Sequence, residues 1–165
     1  MRSHPAHWLA LGLGSGLSPK APGTAGTLWA WVAFLLLTHL GLTATHWGWL
    51  IAFTALAGWW ASSVTARHMG IKDPGHIVVD EIVAFWLVLW LVMPTGLWGQ
   101  LAAFVLFRFF DAVKPGPVAW ADQLFHHVDV AQDRHGWTKA GFGIMWDDLV
   151  AAFCTLLVIA FWRLI

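Results

Sequence analysis

The sequence predicts an all-α membrane protein: two helical hairpins and a C-terminal helix, with the chemistry at one membrane face. Three observations carry this expectation. Hydrophobic residues make up 59% of the 165 residues and charged ones 11%, against about 45–50% and about 25% in an average soluble domain. Five stretches, 27–40, 46–66, 81–93, 97–110 and 149–162, are apolar on every side and not along one stripe. Eight of the nine Lys and Arg residues, and all nine Asp and Glu residues, fall in segments that can share one side of a bilayer.

Length argues for one domain, 1–165. The formal net charge is zero, which offers no global field for nucleic acid. Cys154 lies in an apolar run without an internal partner, as a buried structural thiol would. The N-terminal run MRSHPAHWLALGLGSG has too short an apolar patch for a cleaved signal peptide and is expected in the mature protein.

Taken in order, the first two stretches are joined by 38–46, and the third and fourth by 93–99, without a Lys or Arg in either connection. The cations sit in 1–26 (Arg2, Lys20), 67–80 (Arg67, Lys72) and 108–148 (Arg108, Lys114, Arg134, Lys139). The positive-inside rule makes that face cytoplasmic and leaves Arg163, beside Trp162, on the other. Only 46–66 approaches the roughly 20 residues of a straight span, so a buried core helix is the alternative for the others. There are 14 Trp and no Tyr. Trp29, Trp31, Trp47, Trp49, Trp59, Trp60, Trp98 and Trp162 lie near stretch ends, where indole favours the headgroup level; ordinary core packing is the alternative. Pro94 and Gly96 punctuate one turn, Gly70, Pro74 and Gly75 another, and Pro115 and Pro117 end the fourth helix. The polar segment 123–140 is expected as a surface loop or short amphipathic helix.

Acidic groups fall at helix ends on the charged side. Asp80 and Glu81 are expected to open the third helix, Asp111 to close the fourth, and Asp147 and Asp148 to open the fifth. A carboxylate at a helix N-terminus gains roughly 0.3–1 kcal/mol from the backbone dipole, which alone could explain either pair. Their convergence at one face suits a hard divalent cation, which takes a few carboxylates plus water and phosphate. Arg108, Asp111 and Lys114 follow at i, i+3 and i+6, along one side of a helix end. They make either a local salt bridge or a phosphate clamp. Lys20 and Thr24 lie in a Gly/Pro-rich loop, 12–26, whose backbone can wrap an anion but which lacks nucleotide P-loop spacing. His76, four residues before Asp80, could protonate a leaving alkoxide, orient a water, or be structural. His126, His127 and His135 fit no common zinc spacing. No Ser–His–Asp arrangement stands out.

The runs GLSPKAPGTAGTLWA (16–30), IKDPGHIVVDEIVAFW (71–86), FRFFDAVKPGPV (107–118) and GFGIMWDDLVAA (141–152) together resemble the phosphatidylglycerophosphatase A family. The resemblance covers most of the chain in the family's order. It implies a Mg²⁺-dependent enzyme of the bacterial inner membrane that removes the terminal phosphate of phosphatidylglycerol phosphate. One departure stands out. After Asp122 some ten extra residues precede the Gly-Ile-Met run, Ala140-Gly141 replaces a Gly-Gly, and a basic segment is lost, with Arg134, His135 or Lys139 as possible substitutes.

The expectation is therefore a lipid phosphomonoesterase. Some of Asp80, Glu81, Asp111, Asp147 and Asp148 supply the metal ligands, and Lys20, Thr24, Arg108 and Lys114 hold phosphate. The nucleophile is a metal-activated water or an Asp carboxylate; the lack of an aspartyl-phosphate signature favours water. The acyl chains stay in the bilayer. An ion or solute transporter would bury ionisable groups within its apolar stretches, and apart from Glu81 and Arg108 at their charged-side ends these hold only His39 and His46 near a turn. A non-catalytic membrane subunit would not need cations and carboxylates at matched depth.

Overall fold

The computed structural model describes residues 4–164, and every regular element among them is helical. Arg2, counted above with the charged face, lies outside the described residues. The elements are α1 (Pro5–Ala10), a 3-10 segment (Gly12–Leu17), α2 (Pro22–His39), α3 (Ala44–Met69), α4 (Val79–Val92), α5 (Leu97–Val113), α6 (Pro117–Gln123) and α7 (Gly136–Leu164).

Local chemistry sets the boundaries. Pro22 opens α2 at a position where its missing N–H costs nothing. Thr43 and His46 close a reciprocal capping box at the start of α3. Gly70 ends α3 in the left-handed conformation, with φ 67°. Lys114 takes that conformation at the end of α5, φ 47°, immediately before Pro115.

The buried centre is α4. It packs against α2, α3, α5 and α7, and Val79, Val83, Phe85, Val88 and Leu89 are at most 1% exposed. Its all-round apolarity therefore reflects burial in protein, which is the core-helix alternative noted for the shorter stretches. Trp47 and Trp86 also belong to this core: the Trp47 ring packs on Phe34 and Trp86. Trp49, Trp98 and Trp162 are exposed, so the tryptophans divide between core and rim.

Two helices, α3 and α7, are long and apolar enough to cross a membrane. Leu28, Val32 and Leu36 of α2, Phe53 and Leu56 of α3, and Phe153, Leu157 and Phe161 of α7 are exposed. These outward apolar side chains, with the two long apolar helices, suit association with a membrane.

The start of the last helix differs from expectation. It begins at Gly136, so Asp147 and Asp148 do not open it but lie about three turns inside. Gly141 and Gly143, inside this helix, allow close packing. A Cβ at Gly141 would fall 2.7 Å from the Ser63 nitrogen of α3, so only glycine lets α3 and α7 approach this closely. The segment 123–140 is correspondingly split: α6 ends at Gln123, turns follow, and α7 starts. The 12–26 loop is also shorter than expected, because its second half is the first turn of α2.

Candidate active site

The first turn of α4 and the interior of α7 meet at one end of the body. Asp80, Glu81 and Asp148 each offer a carboxylate oxygen within 4.8 Å of the others. Asp80 is 9% exposed and Asp148 3%. Asp80 Oδ1, Glu81 Oε2 and Asp148 Oδ2 are buried and accept no hydrogen bond. Leaving buried acceptors unpaired is costly, and crowding carboxylates adds repulsion. A hard cation resolves both, so this donor set fits a metal ion.

Arg108 of α5 borders the trio. Its Nη1 donates to Asp111, lies 3.8 Å from Glu81 Oε1, and donates to Thr27 Oγ1 at 3.4 Å. The Thr27 hydroxyl in turn donates to the Gly23 carbonyl at 2.8 Å. This ties the first turn of α2 to the charged cluster. Gly23 leaves room there: an added Cβ would displace the Glu81 Oε1 end and stand 3.2 Å from both terminal nitrogens of Arg108. Asp111 sits beside Asp148 as well as Arg108, so it joins the cluster already paired.

A second group lies alongside. Lys114 donates to Asp122 of α6 and, at 2.6 Å, to Asp147 Oδ2. Burial works to lower the Lys114 pKa, but the hydrogen bonds to Asp122 and Asp147 and their charges outweigh it and hold the ammonium above the ordinary lysine value. Because Lys114 lies past the end of α5 in the left-handed conformation, the stripe expected from Arg108 through Lys114 stops at Asp111. A cleft of about 50 Å³ opens beside this pair, lined by Lys72, Asp73, Asp122, His126 and Asp147.

The remaining expected residues are placed as follows. Thr24 is half-buried in the first turn of α2 and Lys20 is exposed just before it; neither pairs with the carboxylates among the described residues. His76 is exposed and its Nδ1–H donates to the Gly16 carbonyl at 2.9 Å, leaving Nε2 free. Lys139 is held by Asp133 and Arg134 is exposed. His126, His127 and His135 are exposed; the metal-capable cluster among the described residues is the carboxylate trio. The sequence did not single out Gly23 or Thr27 as individual site residues. Both lie in the run 16–30 that carries the family resemblance, a glycine and a hydroxyl one turn apart after Pro22.

Comparisons with known proteins give the family. The sequence model of phosphatidylglycerophosphatase A matches residues 8–163. The chain is 39% identical over 150 residues to the phosphatidylglycerophosphatase A of Escherichia coli, covering 90% of this chain and 78% of that protein. It is 38% identical to the phosphatidylglycerophosphatase A of Haemophilus influenzae, covering 98% of this chain and 92% of that one. A Bacteroides thetaiotaomicron protein, provisionally named a phosphatidylinositol-3-phosphatase, is 38% identical over 92% of this chain and 89% of its own length. No solved structure matches. A match along nearly the whole chain, with identity near two residues in five, means that the chain belongs to the phosphatidylglycerophosphatase A family.

Proposed function

We propose that the protein hydrolyses the terminal phosphomonoester of phosphatidylglycerol phosphate, giving phosphatidylglycerol and inorganic phosphate. It does so with Mg²⁺ at the Asp80–Glu81–Asp148 trio, on the cytoplasmic face of a bacterial inner membrane that the chain crosses more than once. One observation carries the chemistry: three buried carboxylates with unpaired oxygens stand beside an arginine. The names of the relatives support the substrate.

In this reaction a water oxygen bonds to phosphorus, the bond from phosphorus to the glycerol oxygen breaks, and that oxygen takes a proton. The bound cation supplies Lewis-acid polarisation of phosphoryl oxygens and a more acidic coordinated water. Arg108 presents a planar fork suited to two phosphoryl oxygens. Asp111 and Thr27 fix that fork, so little reorganisation is needed as charge develops. The backbone N–H groups in the first turn of α2 favour an anion, and Gly23 lets that turn lie against Arg108. Lys20 and Thr24 border the same turn and add phosphate contacts. Lys114 adds positive charge while neutralising Asp147. His76 keeps Nε2 for the proton of the leaving oxygen. Apolar faces of α2, α3 and α7 leave the acyl chains in lipid.

The test is phosphate release by purified protein in mixed micelles, with Mg²⁺ or with EDTA. Phosphatidylglycerol phosphate is compared with phosphatidic acid and phosphatidylinositol 3-phosphate. The proposal expects Mg²⁺-dependent release, fastest from phosphatidylglycerol phosphate. Release unaffected by EDTA, or fastest from another lipid, would overturn the metal or the substrate assignment respectively.

A further inference from the structure

The end of the body opposite the carboxylates carries a feature that the phosphatase chemistry does not use. Asp80 opens α4 and Val92 closes it, about 18 Å further along the axis. At that far end an apolar groove of about 690 Å³ lies between α5 and α7. Trp98, Ala102 and Val105 line it from α5, and Val158, Trp162 and Arg163 from α7. From Trp98 to Val105 the wall extends about 10 Å along the helix, several methylene lengths.

Arg163 is fixed at the polar end of this groove. Its Nη2 donates to the Val92 carbonyl at 3.0 Å. That carbonyl is among those that a helix end leaves without an internal donor. A guanidinium has five N–H donors, so most of the fork stays free. The stretches 82–107 and 149–164 contain no Asp or Glu, so no side-chain carboxylate in them neutralises it. Trp98 and Trp162 beside it are 84% and 82% exposed. An exposed indole pair at the end of an apolar groove is the arrangement expected at the headgroup level of a bilayer.

We propose that this groove binds an anionic diacyl phospholipid, with one acyl chain between α5 and α7 and the headgroup phosphate on Arg163. Charge complementarity selects the occupant. An apolar wall alone would accept any chain, but a guanidinium with no Asp or Glu partner among the described residues favours a lipid with net negative charge. The site is distinct from the substrate position, because the two lie at opposite ends of α4.

Native mass spectrometry of the purified full chain, with phosphatidylglycerol or phosphatidylcholine added to the detergent, tests this. The wild type should retain one phosphatidylglycerol about fivefold better than phosphatidylcholine, as expected for one cation near a lipid surface. Arg163→Gln should bring that ratio close to one. Ala102→Trp, at an exposed position, should fill the groove and reduce retention of both lipids. Both variants should hydrolyse phosphatidylglycerol phosphate at the wild-type rate, which separates this site from product bound at the carboxylate end. Equal retention of the two lipids by the wild type would overturn the proposal, as would preference surviving both substitutions. A dimer dispersed by Ala102→Trp would also overturn it, since the groove would then join two copies of the chain.

Discussion

Asp147 and Asp148 are neighbours in sequence but not in chemistry. Successive helical residues point about 100° apart. Asp148 turns toward Asp80 and Glu81, where each member of the trio keeps an oxygen with no donor. Asp147 turns toward Lys114, which already binds it at 2.6 Å. Glu81 and Asp111 differ less: Arg108 donates to Asp111 and lies 3.8 Å from Glu81 Oε1, and Glu81 Oε2 is left unpaired. A carboxylate with a cationic side-chain partner can persist without help, whereas a buried cluster lacking donors calls for a cation from outside. On the proposed function, the unpaired oxygens and not the count of acidic residues are what would distinguish metal ligands from supports.

The strongest way to break this comparison is to remove one charge at a time. Asp80→Asn and Asp148→Asn should each lower turnover by more than about 100-fold, the upper end of what even outer-shell metal partners cost. Asp147→Asn should stay within about tenfold, since Asn still accepts from Lys114. Initial rates of phosphate release from the three variants check this; equal losses at 147 and 148 would erase the distinction.

Much of this was legible in sequence, and the exceptions have physical causes. The positions of Asp80 and Glu81 at a helix start, and of Asp111 near a helix end, follow from the sharp change between apolar and polar residues. The start of α7 was not legible, because the segment 123–140 is polar, and the close packing of Gly141 and Gly143 against Ser63 and Phe125 depends on the assembled fold. The division of the five carboxylates was hidden for a related reason. It depends on Lys114 leaving the helical stripe in a left-handed turn to reach Asp122 and Asp147, partners 8 and 33 residues away.

A second, smaller effect sharpens the role of Arg108, which touches Asp111 and Glu81. Arg108→Lys keeps the charge but loses the fork joining Asp111, Glu81 and Thr27. Turnover should fall about 10- to 100-fold, as for loss of a positioned transition-state donor. The Michaelis constant should change less. Steady-state kinetics beside thermal melts check this, and normal turnover in the Lys variant would make Arg108 a structural ion-pair partner only. Gly23→Ala should act in the same direction and more weakly, about tenfold, because its methyl group displaces Glu81 and Arg108 without removing either. Wild-type kinetics in that variant would show that the α2 turn has no part in the site.

The smallest effect concerns the Lys114 pair. A lysine whose pKa is raised on folding contributes stability that is full below its unfolded value and is lost as pH rises through the folded one. Lys114 is held above its ordinary value, so its contribution should be constant from pH 7 to about 9.5. The pair is partly open to solvent, so Lys114→Met should cost about 1–2 kcal/mol across that window. Melting of wild type and variant at several pH values checks this; a gap that closes by pH 9 would contradict the pairing.

The central claim is that the unpaired trio, and not the Lys114-paired Asp147, holds the divalent cation. Calorimetric titration of Mg²⁺ into purified wild type, Asp148→Asn and Asp147→Asn, without substrate, measures it directly. Saturable Mg²⁺ binding should appear in wild type and Asp147→Asn and vanish in Asp148→Asn. Binding lost in Asp147→Asn but kept in Asp148→Asn, or absent from all three, would contradict the account.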